Sequence, residues 1–175
     1  MSAGVELSPL RPELRAAVLA LRVAPGQERY SGTPALTVPA ADREPGREHV
    51  VILRDGAPVG YFQLDTAGVP GAPKAPEILG LRGFLIDISV QGQGVATAAL
   101  ARLAPYVRER FPDHRTVALT VNLTNPAAIA VYRRAGFVET GAIYHGGTAG
   151  PQHVMLLAVD GDAPSVSSGT LSRRR

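Results

Sequence analysis

Glycine and proline cut this chain into short segments, so any fold it adopts is assembled from brief elements joined by many turns. Nineteen glycines and fifteen prolines fall among 175 residues. That is above average usage yet short of the roughly 25–30% that marks low-complexity sequence. An apolar share of 45% against a charged share of 19% fits an ordinary globular protein. A chain of this length makes about one domain and buries roughly two-thirds of its unfolded surface in one core.

Between the breakers, hydrophobic spacing assigns the elements. Val5–Leu7 opens a strand that Pro9 ends, and Leu14, Val18 and Leu21 make a helical stripe started by Pro12. Pro25, Pro34, Pro39 and Pro45 reduce residues 24–47 to a short broken helix or loop. His49–Arg54 and Pro58–Leu64 flank Asp55-Gly56, a dipeptide suited to a tight hairpin turn. After a Gly/Pro-rich loop over 66–76 comes the longest strand run, Ile78–Ile88, with Gly80 and Gly83 inside it. Glycine there marks a bulge or a close approach by another backbone or a ligand. One helix is expected from Val95 to about Arg110, stopped by Pro112. Thr116–Val121 reads as a strand, Asn125–Ala135 as a helix closed by Gly136, and Phe137–Tyr144 with His153–Val159 as a last β pair. The order is that of one mixed α/β domain over residues 1–159. The Ser/Gly/Pro-rich tail from 160 to 175 is expected to be disordered.

Composition removes several functional classes. With no cysteine, thiolate zinc, iron–sulfur clusters, disulfide scaffolds and cysteine nucleophiles are excluded. Net charge is +3, and Arg173, Arg174 and Arg175 supply as much by themselves. The rest of the chain carries no electrostatic footprint for nucleic acid. The apolar run Ala16–Leu21 is bounded by Arg15 and Arg22, too short for a signal-peptide core of about 7–15 residues or a span of about 20. A soluble, cytoplasmic protein with no membrane partner is the expectation.

The densest chemical signal is Val90-Gln-Gly-Gln-Gly-Val-Ala-Thr97, set between a strand and a helix. A glycine turn opening a helix points several backbone N–H groups at one spot, where the helix dipole adds about half a positive charge. A phosphate is the natural ligand, and a tight turn alone is the plain alternative. A Walker loop would need Gly-Lys-Ser/Thr, which the chain lacks, and a dinucleotide fingerprint through Gly92 and Gly94 fails at Thr97.

What the segment does match is Gln/Arg-x-x-Gly-x-Gly/Ala, through Gln91, Gly94 and Ala96. A second block follows: Leu119-Thr-Val-Asn-Leu-Thr-Asn125-Pro-Ala-Ala-Ile-Ala-Val-Tyr132-Arg-Arg-Ala-Gly136-Phe137. Together they resemble the GNAT superfamily of acetyl-CoA-dependent N-acyltransferases, across roughly residues 5–159. The resemblance implies a mixed α/β fold, with a mostly antiparallel central sheet of about seven strands flanked by helices. It implies acetyl-CoA as co-substrate and no metal, because the helix end supplies the positive potential. Phe84, Leu85 and Ile86 would lie beside the pantetheine arm, their backbone pairing with its amides as an added strand would. Gly92, Gln93, Gly94, Val95, Ala96 and Thr97 would hold the pyrophosphate. Asn125 matches a coenzyme contact and also suits a helix N-cap. Tyr132 matches the usual general acid, whose phenol protonates the departing thiolate; its plain alternative is core packing. Ile129 and Phe137 read as core.

One role is vacant. Many relatives place a glutamate five residues before the asparagine, where this chain has Thr120, a poor base. Asp87, Glu77, His145 and His153 are alternatives, and Asn122 or a strand carbonyl could hold a relaying water. The segments Leu19–Tyr30, Pro58–Phe62 and Leu81–Asp87 are similar to bacterial diamine and spermidine acetyltransferases. Yet Arg82 stands on the long strand where an acid would suit a polycation, unless it points away; Glu28, Asp65 and Glu77 are the other acids available. The acceptor is expected to be a small-molecule amine or a protein N-terminus, and homodimers are common in the superfamily. The missing glutamate motivates the competing expectation of an acyl-CoA-binding regulatory module without transferase activity.

Overall fold

The computed structural model describes residues 4–161, so the expected disorder of the tail falls almost wholly outside the described residues. Seven strands form one sheet in the order β1-β2-β3-β4-β5-β7-β6. They are β1 (Val5–Pro9), β2 (Arg47–Arg54), β3 (Ala57–Asp65), β4 (Ile78–Ile86), β5 (Thr116–Asn122), β6 (Val138–Tyr144) and β7 (Gln152–Ala158). Every neighbouring pair is antiparallel except β4 with β5. That exception follows from the helical crossover between them, since parallel strands need a long connection.

Between β1 and β2 run α1 (Arg15–Leu19), α2 (Glu28–Ser31) and α3 (Pro34–Ala41). The proline-rich stretch is therefore two short helices, parted by Gly32 at φ 71° and restarted by Pro34 in the first turn. The β2–β3 hairpin closes as expected, with Asp55 at φ 52° and Gly56 at φ 80°. The long strand ends at Ile86 rather than Ile88. Asp87 leaves it to cap a 3₁₀ turn over Ile88–Val90, accepting a bond from the Ser89 N–H.

The expected helix from Val95 to Arg110 is two: α4 (Val95–Ala101) and α5 (Leu103–Arg110). Pro105 is the cause, because it has no N–H to donate to Ala101 and its ring crowds the preceding turn. The last helix, α6 (Pro126–Arg134), is capped by the Asn125 Oδ1, which accepts from the Ala128 N–H at 3.3 Å.

The sheet is covered on both faces. Val50, Ile52, Phe62, Leu64 and Leu79 pack with Val95, Leu100, Leu103 and Val107 of α4 and α5. Alternate residues of the same strands, Val51, Leu53 and Tyr61, pack on Val18, Leu21 and Val38 on the opposite side. Burial on both faces explains why β2 reads as a continuous apolar run. Among the described residues, no helix is long and apolar enough to cross a membrane.

Candidate active site

Three residue pairs join β4 to β5: Ile78 with Thr116, Leu79 with Val117 and Gly80 with Ala118. Beyond Gly80 the strands part. β4 stays laddered to β3 as far as Ile86, and β5 stays laddered to β7 as far as Asn122. A gap therefore opens inside the sheet, and the β4 edge facing it has no strand partner from Leu81 onward.

The two glycines of β4 build that divergence. Gly80 lies under the 66–76 loop, where a Cβ would come within 2.5 Å of the Gly68 backbone. Gly83 takes φ 61° at the point where the β3–β4 register slips between Tyr61 and Gln63. Gly83 and Phe84 thus face Phe62 together, a β-bulge that bends the strand. At the root of the gap, buried Asp65 accepts from Arg82 Nε at 2.8 Å, Arg47 Nε at 3.0 Å and the Ala67 N–H at 2.8 Å. Arg82 also donates to the Gly68 carbonyl at 2.7 Å. Arg82 is thereby paired and lines neither cavity described next; Asp65, one of the acids considered for a polycation, is taken up by the two arginines.

An inner cavity of ≈ 80 Å³ fills the gap, walled by Leu81, Gly83 and Phe84 from β4, Leu119–Asn122 from β5, and Tyr132. An outer cleft of ≈ 260 Å³ runs along β4 to the glycine turn. The two share Tyr30, Ser31, Phe84, Asn125, Ala128 and Tyr132. Of the residues singled out in the sequence, Phe84, Leu85, Ile86, Gly92, Val95, Ala96, Asn125 and Tyr132 line the outer cleft. Gln93, Gly94 and Thr97 do not line it. The Gln93 amide oxygen accepts from Arg54 Nη1 at 2.8 Å, and Gly94 is the N-cap of α4.

The turn itself explains its glycines. Gly92 has φ 73° and Gly94 φ 77°, values only glycine adopts readily. A Cβ at either would meet nothing within 4 Å, so the turn faces open space where a phosphate can approach. Tyr132, only 8% exposed, is held edge-on between Phe84 and Phe137, with centroids at 6.1 and 5.6 Å. Its ring is core, as Ile129 and Phe137 are, and burial pushes its phenol above the ordinary value. A phenol so placed stays protonated at neutral pH.

None of the acids or histidines considered as a base lines either cavity. Asp87 is a cap. Burial works to raise its carboxyl, but bonds from Ser89 and the Arg22 N–H outweigh that and hold it below the usual range. The Glu77 carbonyl accepts the N–H groups of Arg115 and Thr116 at the far end of β4. His145 is exposed between β6 and β7, and His153 sits 3.9 Å from the Glu139 carboxylate. Thr120 and Asn122 do line the inner cavity.

Sequence reasoning missed what crosses the outer cleft. Gln27 and Gln91 exchange amide bonds at 2.8 and 3.4 Å, and Gln91 Nε2 also donates to the Ile86 carbonyl at 2.9 Å. The Tyr30 hydroxyl meets the Thr124 carbonyl at 3.2 Å and its hydroxyl at 3.1 Å. The Thr124 bond, helped by the Arg29 guanidinium, holds that phenol below its ordinary value. These partners lie 64 and 94 residues apart, so no local pattern announces them.

Comparison with known proteins agrees with this fold. The chain is 28% identical over 143 residues to the uncharacterized N-acetyltransferase YbbJ of Bacillus subtilis (strain 168), covering 81% of this chain and 89% of that one. Aminoglycoside acetyltransferase AAC(6')-Ib in complex with coenzyme A superposes with TM-score 0.70 at 20% identity, over 89% of this chain and 95% of that one. Spermidine N-acetyltransferase from Vibrio cholerae, in complex with CoA and spermine, gives 0.67 at 16% identity, over 89% and 96%. Residues 12–137 match the Acetyltransferase (GNAT) family, and the chain belongs to it.

Proposed function

We propose that this protein transfers the acetyl group of acetyl-CoA directly to a primary amine of a small molecule. One observation carries the reading: the gap between β4 and β5 joins an open glycine turn to a buried tyrosine. The likeness to enzymes whose names specify aminoglycosides and spermidine supports a small-molecule acceptor.

The residues present fit the coenzyme. The turn at Gly92–Gly94 and the start of α4 hold the pyrophosphate through backbone N–H groups. The free edge of β4 from Phe84 to Ile86 pairs with the pantetheine amides, and Asn125 meets the same arm while capping α6. When bound, acetyl-CoA supplies an acetyl group activated as a thioester, which an uncharged amine attacks with formation of C–N and loss of C–S. Tyr132 donates its proton to the departing sulfur. The proton shed by the nitrogen leaves to water, which restores the phenol, so protons balance. Phe84 and Phe137 fix the tyrosine ring.

The test is CoA thiol release across diamines, spermidine, aminoglycosides, amino acids and short peptides, with Tyr132→Phe alongside. The variant is expected to keep acetyl-CoA affinity while turnover falls at least tenfold, about 1.4 kcal/mol of barrier. Unchanged turnover removes Tyr132 from the mechanism. A second reading, acyl-CoA binding without transfer, is favoured by Thr120 in the cavity where a base would stand. Acetyl-CoA that raises the melting temperature with no transfer to any amine would establish it.

A further inference from the structure

We propose that the acceptor is a weakly basic amine, an arylamine or a hydrazide, whose nitrogen is already uncharged near neutral pH. The inference rests on the acetyltransferase reading and names a substrate class for it. Among the described residues, no Asp, Glu, His, Lys or Arg lines the inner cavity or the outer cleft. The polar side chains Thr120, Asn122, Asn125 and Gln152 that line the inner cavity are all neutral. The acids that could answer a cation are engaged or elsewhere. Asp65 is held by Arg47 and Arg82, while Glu28 and Glu77 are exposed and line neither space. The charge that does touch a lining side chain is positive. Arg29 Nη2 donates to the Tyr30 hydroxyl at 2.6 Å, and the guanidinium lies 4.7 Å over the Tyr30 ring.

An ammonium in such a place finds no counter-charge. Taking one out of water unpaired is costly, and the group sheds its proton instead. None of the lining side chains is a base for that proton. Tyr30 and Tyr132 are the titratable groups there. Burial keeps the Tyr132 phenol protonated, and the Tyr30 hydroxyl is taken by Thr124 and Arg29. A strongly basic amine must therefore enter uncharged, and at pH 7 only about one lysine-type amine in 2,500 is so. An arylamine or a hydrazide is uncharged already. Its N–H groups suit the neutral acceptors on offer, since the β5 edge past Ala118 has no β4 partner and keeps backbone carbonyls free to accept. The step balances. The nitrogen lone pair forms C–N as C–S breaks, Tyr132 protonates the sulfur, and the nitrogen gives one proton to water, which returns one to the phenol.

The experiment measures kcat/KM at saturating acetyl-CoA, from about pH 6.5 to 8.5, for 4-methoxyaniline, benzhydrazide, benzylamine and spermidine. Benzylamine also carries a ring but is protonated through that range. The two weakly basic amines are expected to be acetylated with kcat/KM changing less than about twofold, and at pH 7 to exceed the other two. Any rate with benzylamine or spermidine is expected to climb about tenfold per pH unit. Thr120→Glu, which adds a carboxylate to the inner cavity, is expected to shift the ratio of kcat/KM at pH 7 at least about tenfold from 4-methoxyaniline toward benzylamine. A flat wild-type profile for benzylamine or spermidine overturns the inference, because the site then binds and deprotonates an ammonium. A higher kcat/KM at pH 7 for either than for both weakly basic amines overturns it and leaves the acetyltransferase reading standing, as does an unmoved ratio in the variant. Should the variant not fold, the wild-type profiles decide alone. Transfer to none of the four overturns it as well, and the acetyltransferase reading falls with it if the wider amine panel is also silent.

Discussion

Replacing Asp65 with asparagine removes one charge and almost no volume at the root of the gap. The carboxylate is only 3% exposed and holds two guanidinium groups that are themselves 21% and 28% exposed. Removing one partner of a fully buried pair costs about 3–5 kcal/mol, because the other charge is stranded. Water reaches both arginines in part, which discounts the loss here to about 2–3 kcal/mol. The asparagine can still accept from the Ala67 N–H, so the turn after β3 survives. At roughly 2–4 °C per kcal/mol for a chain of this size, the melting temperature should fall by about 4–12 °C. Urea unfolding followed by circular dichroism reads the free energy directly, with the m-value checking that cooperativity persists. A loss under about 0.5 kcal/mol, the range of ordinary surface changes, would refute the claim that this cluster anchors the point of divergence.

Two further outcomes separate kinds of constraint. Gly94→Ala meets no steric obstacle, so its cost is conformational, about 1–2 kcal/mol. Gly80→Ala must displace the Gly68 backbone at 2.5 Å and should cost more; equal losses in urea would contradict the distinction. For Asp87, a folded-state pKa below the unfolded one means its contribution is full above the unfolded value near 4 and disappears as pH falls through the folded value. The stability gap between wild type and Asp87→Asn should therefore be constant near neutrality and shrink in acid, and a gap that widened in acid would reverse the assignment.

What the sequence revealed was mostly local. Asp55-Gly56 dictates its hairpin, Asn125 its helix cap, and the two glycine-flanked motifs point to the walls that line the cleft. Arg82 could not be oriented from sequence, because its direction depends on Asp65 across the β3–β4 ladder. The break between α4 and α5 was legible in principle, but the apolar stripe of Val95, Ala99, Leu103 and Tyr106 runs straight across Pro105 and masks it. The bridge from α2 to Gln91 and Thr124 joins residues far apart in the chain.

The narrow junction between β4 and β5 also bears on how the chain emerges during synthesis. Strands β1 to β4 pair only with one another on the N-terminal side of that junction. Once residue 86 has cleared the ribosome, that half of the sheet holds all its antiparallel partners. β4 waits for its second partner until α4 and α5 have been made and Thr116 arrives to pair with Ile78, the first of the three residues that β5 covers. A long open edge invites pairing with another nascent chain. The same bulge at Gly83 that shapes the cleft, with the charged Arg82 beside it, interrupts the rest of that edge, which no strand covers before or after β5 arrives. A feature that serves the mature site thus also guards the half-made protein.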